Sequence, residues 1–226
     1  MEQFKHILAR AAERKGGIDS VMARVYQPLP NHQLAALTDD RILAEFSKKV
    51  FQSGFVWRVV EQKWPNFEDV FFQFNIEKIL MMPDEMLERK ASDPKIIRNF
   101  KKILTIKENA HMLHAIALEH GSAATWLAQW PAQNIVELWQ FLKKEGARLG
   151  GNTGPYALRA LGKDTFLFSR DVEAYLRAYN LIEGGLTSKR TLMQAQTCFN
   201  EWQQQSGLSF QEISQIIAYS QGDNHV

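Results

Sequence analysis

Residues 149–157 read Leu149-Gly150-Gly151-Asn152-Thr153-Gly154-Pro155-Tyr156-Ala157, the densest glycine stretch of the chain, with Gly146 just ahead of it. Glycine reaches left-handed backbone conformations without a Cβ penalty, so such a run between apolar-periodic segments predicts a tight turn joining two helices. Two readings of the turn stay open. It is a plain helix-to-helix connection, or it aims N–H groups of the turn and of the next helix's first residues at a phosphate, with Arg148 and Lys163 adding charge. The second reading names Gly150, Gly151, Thr153, Gly154 and Lys163.

Outward from this turn, apolar residues recur at spacings of three and four almost everywhere and alternating strand patterns are nearly absent, so the chain reads as all-α with about ten helices. Phe4, Ile7, Leu8 and Ala11 mark the first. Asp39 and Asp40 offer N-caps to a longer helix that passes Ile42, Phe46 and Phe51, reaches toward Val60 and is broken by Pro65. Short helical units are expected over 66–74, 76–81 and 84–90. Pro94 then opens a central helix over 95–120, striped by Ile96, Ile97, Ile103, Ile106, Ala110, Leu113 and Ile116 and ended by Gly121. After helices over 121–130 and 136–144, three more are expected over 169–179, 188–205 and 209–219, the last opening with a Ser209 to Glu212 capping box.

A chain of 226 residues with 45% hydrophobic and 11% aromatic content buries a core without metal or disulfide staples. One body with two sublobes is expected, residues 46–160 forming one and 1–45 with 161–226 the other. The net charge of +2 carries no polyanion-binding claim by itself. The lone Cys198 permits no intramolecular disulfide and no multi-thiolate zinc site, and it favours a reducing compartment, with a cytoplasmic location expected. No apolar run approaches the roughly 18 residues that cross a bilayer, and the N-terminal stretch with Glu2, Lys5, His6 and Arg10 lacks a signal-peptide core, so no membrane partner is expected.

Several stretches together carry a resemblance. Leu149, Gly151 and Ala157 match a helix-hairpin-helix turn, with Thr153 in place of its second glycine and Tyr156 in place of its threonine. In order along the chain, Ser53-Gly54-Phe55-Val56-Trp57, the trio Phe67, Phe71 and Phe74, Ile96-Ile97-Arg98-Asn99, Lys102-Ile103, Asn109-Ala110 and Gly121-Ser122 resemble the 3-methyladenine DNA glycosylase I family of the helix-hairpin-helix DNA glycosylase superfamily. The resemblance implies a compact all-α fold of that superfamily. It also implies a base-excision repair enzyme that hydrolyses the N-glycosidic bond of an alkylated or altered base, with damaged double-stranded DNA as its partner.

The same resemblance assigns roles. The family aromatic at Trp57 stacks on the extruded base, and a glutamate eight residues earlier reads the base edge; here that position is Lys49, which donates but cannot accept. Glu45, one turn earlier, either substitutes for it or pairs with Lys49. Phe51 and Tyr26 are carried over as further base-pocket residues. Asp164-Thr165 matches the pair whose aspartate stabilises the sugar cation, although Asp164 also suits a helix N-cap and Asp171 is a poorer alternative. Bifunctional members carry a nucleophilic lysine where this chain has Pro155, which implies a monofunctional enzyme that uses water. Within the basic cluster of Lys95, Arg98, Lys101, Lys102 and Lys107, Arg98 is the first candidate for a DNA-backbone contact, against a reading of the cluster as a solvated helix face. With Cys198 alone and His225 in the tail, the family's set of two cysteine and two histidine zinc ligands is missing, and neither metal nor cofactor is expected. The departures at Lys49, Thr153 and Pro155 leave open an alternative, a non-catalytic DNA-binding module for damage recognition.

Overall fold

The helical periodicity resolves, over the residues 1–221 that the computed structural model describes, into fourteen α-helices and two short 3-10 turns, with no strand among them. In chain order the helices are α1 (Phe4–Lys15), α2 (Ile18–Met22), α3 (Asn31–Ala35), α4 (Asp39–Gln52), α5 (Trp57–Val70), α6 (Ile76–Leu80), α7 (Asp84–Ala91), α8 (Phe100–His120), α9 (Ala123–Gln129), α10 (Ile135–Glu145), α11 (Thr153–Ala160), α12 (Arg170–Ala178), α13 (Lys189–Ser206) and α14 (Phe210–Ser220). His225 lies outside the described residues. None of these helices is long and apolar enough to cross a membrane.

Two compact units emerge. The first comprises Met1–Leu29, Pro131–Leu138 and Gly162–Val226, and the second Pro30–Trp130 with Trp139–Leu161. Residues 30–45 join the second because α3 packs on α9 and α4 on α8. Residues 131–138 join the first, where the Val136 N–H donates to Gln196 Oε1 at 3.1 Å.

In the second unit, α4 packs against α5, α8, α9 and α11. Its Ile42, Leu43, Phe46, Val50 and Phe51 are at most 1% exposed, an apolar face of the 3.6-residue kind. Beside it Trp64, Phe67, Phe71 and Phe74 stack in succession with ring centroids 5.1 to 6.1 Å apart. The helix expected from Asp39 toward Val60 is in fact two. It stops at Gln52, and Gly54 at φ +82° turns the chain before α5 starts at Trp57. Pro65 lies inside α5 rather than breaking it; stacking of Trp64 and Phe67 holds a helix whose proline has given up one backbone bond. The carboxylates of Asp39 and Asp40 do not cap their own helix. Asp39 accepts from the Ala123 and Ala124 N–H groups, both at 3.0 Å, and Asp40 from that of Ile76 at 3.2 Å. They fasten the starts of α9 and α6 to α4.

The central helix also starts later than expected, at Phe100, capped by the Asn99 side chain on the Lys102 N–H at 3.1 Å. Ile96 and Ile97 are buried all the same. They sit in a non-helical stretch whose carbonyls, from Pro94 to Ile96, accept from Lys63 Nζ at 3.0 to 3.3 Å. Burial, not helicity, explains their apolar character. At Phe72, Gln73 and Phe74 the expected 66–74 helix gives way to a left-handed turn with φ of 56° to 58°.

In the first unit, Phe166 stacks on Phe199 at 4.2 Å, with Phe210 and Trp202 at their edges. The N-terminus is tied into this core. Glu2 accepts from both terminal nitrogens of Arg10, at 2.6 and 2.8 Å, and from the Tyr175 hydroxyl at 2.8 Å, while Trp202 Nε1 donates to the Glu2 carbonyl at 3.1 Å. Arg10's hydrogen bonds hold the Glu2 carboxyl below its ordinary value of 4.5. A carboxyl with a lowered folded-state pKa contributes stability above the unfolded value and loses it as pH falls through the folded one. Replacing Glu2 with Gln is therefore expected to lower the Tm at pH 7, with the gap to the parent protein closing as pH drops below about 4.5; a gap that stays constant from pH 7 to pH 3 in thermal melts rules this out.

Candidate functional site

The last turn of α4, the first residue of α5 and the hairpin into α11 enclose a cleft of about 210 Å³ lined by Lys49, Gln52, Ser53, Trp57, Asn152, Thr153 and Tyr156. All seven lie in the second unit. That volume sits below the roughly 300–1,000 Å³ of sites for drug-sized ligands and suits one planar heterocycle.

The α4 wall follows from accounting for a helix C-terminus, where the last four carbonyls have no intrahelical partner. The Lys49 carbonyl accepts from Ser53 N–H at 3.0 Å and the Gln52 carbonyl from Phe55 N–H at 3.4 Å. The remaining two, of Val50 and Phe51, accept from Lys102 Nζ at 2.7 and 3.3 Å, and the same ammonium bonds to the Ser53 carbonyl and lies 4.7 Å from the centre of the Phe55 ring. Lys102 is 6% exposed. Burial pulls its pKa below the ordinary lysine value, with the charge of Arg148 acting the same way, while the carbonyls and the negative end of the α4 dipole hold the charged form. The buried ammonium thus sets where α4 stops and how the chain enters Trp57. Lys102, counted in the basic cluster by sequence, faces inward and presents no charge to a phosphate.

Along α4, Glu45, Lys49 and Gln52 follow one another at spacings of four and three and share a face. Lys49 Nζ donates to Gln52 Oε1 at 2.9 Å, pairs with Glu45 Oε1 at 3.2 Å and stands 5.3 Å from the centre of the Trp57 ring. Of the two sequence readings of Glu45, the pairing with Lys49 is the one found. Gln52 is 3% exposed, and its Nε2 donates to Glu61 Oε1 at 2.8 Å, while Glu61 Oε2 meets Lys48 at 2.7 Å. Trp57, 51% exposed, makes an edge contact with Tyr156 at 6.1 Å. Its ring is open to a stacking partner. Phe51 is corrected: it turns to the other side of α4, fully buried against Phe67 at 4.6 Å, so it supports the wall rather than touching a ligand.

The opposite wall is the glycine hairpin. Gly151 adopts φ +61°, and Gly154 packs so closely that a Cβ would stand 2.5 Å from the Leu149 carbonyl oxygen. At the start of α11 the N–H groups of Thr153, Gly154 and Tyr156 donate to the carbonyls of Gly150, Leu149 and Asn152 at 3.3, 3.0 and 3.0 Å, and Pro155 has none. The helix start is spent on its own turn. Any phosphate contact by backbone N–H therefore falls to the Gly150–Gly151 end. The hairpin is braced from behind by Asn109, which is fully buried: its Oδ1 accepts from Ala147 N–H at 2.8 Å and its Nδ2 donates to the Ala147 carbonyl at 3.1 Å.

The remaining sequence candidates do not line the cleft. Arg98 is exposed, in the non-helical stretch before α8, so the solvated-helix-face reading does not apply to it. Tyr26, Lys163 and Asp164 belong to the first unit. Tyr26 is 75% exposed, its backbone N–H and carbonyl held by the Gln215 amide at 3.1 and 2.8 Å. Lys163 is corrected as a surface phosphate contact: it is 3% exposed, and burial lowers its pKa to about 8 against the opposing pull of Asp164. Asp164 spans the start of α14, its Oδ2 accepting from Phe210 N–H at 3.2 Å and its Oδ1 from Gln211 N–H at 2.9 Å. With Ser209 and Glu212 closing the capping box, the first N–H groups of α14 are all matched. Among the described residues no group of three or more His, Cys, Asp and Glu side chains could hold a metal ion. Gln52, Ser53, Asn152 and Tyr156 are the cleft residues that sequence reasoning passed over. Gln52 was signalled by its spacing of three from Lys49, and Tyr156 by its place one turn from Asn152.

The sequence profile of the methyladenine glycosylase family matches residues 35–159. No curated protein matches the chain by sequence. Among solved structures, 3-methyladenine DNA glycosylase I of Staphylococcus aureus is similar with 21% identity and a TM-score of 0.51 over 64% of this chain and 85% of its own. The 8-oxoguanine DNA glycosylase of Methanocaldococcus jannaschii is similar with 14% identity and a TM-score of 0.58 over 95% of this chain and 93% of its own. At these identities the likeness is one of fold, an all-α DNA glycosylase fold.

Replacing Lys102 with Met keeps the apolar stem but leaves the α4 carbonyls without their donor, and is expected to lower the unfolding free energy by about 2 kcal/mol in urea titrations; a loss under about 0.5 kcal/mol contradicts the capping account.

Proposed function

Since the chain belongs to the methyladenine glycosylase family, we propose that it is a monofunctional DNA glycosylase of base-excision repair, hydrolysing the N-glycosidic bond of an altered base extruded from double-stranded DNA. The observation that carries this reading is the cleft that joins Trp57, Lys49 and the hairpin residues Asn152 and Thr153 in one wall-to-wall arrangement. Trp57 stacks on the base, offsetting part of the few kcal/mol that extrusion costs. Lys49 addresses the base edge in place of a carboxylate. The Gly150–Gly151 end of the hairpin and Arg98 meet the DNA backbone, and Tyr26 adds an aromatic contact.

In the reaction the C1′–N bond breaks, its electron pair leaves with the base, and a water oxygen bonds to C1′ and gives up its proton to solvent. Asp164 is the carboxylate assigned to the positive charge that develops on the sugar. Its two N–H partners keep it rigid. Pro155 has no amine, which supports hydrolysis by water over Schiff-base chemistry at that position.

Base release from duplexes carrying alkylated, oxidised or deaminated bases tests the proposal. Trp57→Ala is expected to reduce release at least about tenfold, in line with the roughly 1–3 kcal/mol of base stacking. Asp164→Asn is expected to reduce it by about 100-fold or more, with the Tm followed in parallel because Asp164 also anchors α14. Unchanged release in both variants would falsify the role assignments. A second reading, a non-catalytic module that recognises damaged DNA, is favoured by the engagement of Lys49 with Glu45 and Gln52. It predicts salt-dependent binding without release of any base in the panel.

A further inference from the structure

Resting on the base-cleft reading above, we propose that the cleft takes a neutral altered base bearing an exocyclic carbonyl, a product of oxidation or deamination, and rejects bases that carry a fixed positive charge. None of the seven residues that line the cleft is acidic. The nearest carboxylates on α4 and α5 are turned to cations and amides: Glu45 to Lys49 at 3.2 Å, and Glu61 to Lys48 at 2.7 Å and Gln52 at 2.8 Å. The ammonium that does reach the cleft stands 5.3 Å from the centre of the Trp57 ring.

Three consequences follow from that placement. A cationic base on Trp57 would compete with Lys49 for the ring's negative π density and meet a like charge close by, which electrostatics in a partly buried site turns into discrimination. A carbonyl oxygen on a neutral base is an acceptor that matches an ammonium donor. The leaving group supplies the third. A cationic base departs neutral when it takes the C1′–N electron pair, whereas a neutral base departs with negative charge, and an ammonium at its edge stabilises that charge as it forms. Lys49 is thus both a specificity-determining group and an electrostatic aid suited to the harder leaving group.

Binding of free base analogues separates this inference from catalysis. 9-Methylhypoxanthine serves as the neutral carbonyl probe and 3,9-dimethyladeninium as the fixed cation, each titrated calorimetrically into the full chain. The parent protein is expected to bind the neutral probe at least about tenfold more tightly. Lys49→Glu is expected to reverse the order, and Lys49→Gln to narrow the gap; the latter carries the comparison if the former fails to fold beside Glu45. Equal or tighter binding of the cation by the parent protein overturns the inference and leaves the base cleft intact. Binding of neither probe by folded protein overturns the cleft reading and the inference with it.

Discussion

One buried ammonium governs the geometry of the second unit. Lys102 reaches from the first turn of α8 to the end of α4 and takes the two carbonyls there that no backbone N–H satisfies, those of Val50 and Phe51, together with that of Ser53. A helix whose last carbonyls are bound in this way cannot extend, and the chain turns at Gly54 toward Trp57. The cation is favoured there by the negative end of the helix dipole, which offsets the desolvation that lowers its pKa. Stopping α4 at Gln52 leaves Lys49 and Gln52 at the mouth of the cleft and lets α5 begin on its aromatic residue. Without that stop, the segment 53–57 would continue the helix and Trp57 would have no defined relation to Lys49.

The facing wall rests on a second buried polar residue of α8. Asn109 both donates to and accepts from the backbone of Ala147, as an antiparallel strand neighbour would, and fixes the point at which the chain leaves α10 for the hairpin. Beyond it, close packing at Gly154 and internal hydrogen bonds at Thr153 and Tyr156 make the start of α11 rigid. Both walls of the cleft are therefore set by side chains of α8 that touch no ligand. A site whose lining is held by packed, hydrogen-bonded supports meets a planar base with little reorganisation.

In the first unit the same accounting assigns Asp164 a structural task, the matching of N–H groups at the start of α14. A carboxylate held by two backbone donors is fixed in place, a property useful to electrostatic stabilisation and equally to helix docking. The two are not exclusive, since one carboxylate carries several lone pairs.

All-helical character was legible in the chain because three-and-four spacing of apolar residues has one dominant structural solution, and the capping box at Ser209 and Glu212 marked the start of α14 through local chemistry alone. The pairing of Lys49 with Glu45 was open to the sequence as one of two alternatives, as both sit on one helix face. What local pattern could not decide were events made by distant residues. Lys102 is separated from the carbonyls it caps by about fifty positions, so the end of α4 and the inward turn of a lysine that reads as surface charge were invisible. Ile96 and Ile97 mimic a helical stripe because burial demands apolar side chains whatever the backbone does. Phe51 and Trp57, six residues apart in one motif, part company for the same reason: the first fills a core that only tertiary packing creates, and the second is left open where that packing ends. The sequence by itself determined the all-helical character, the glycine turn and the family; tertiary structure decided where helices stop and which of the motif's residues face a cleft, because that depends on where buried polar groups far along the chain find their partners.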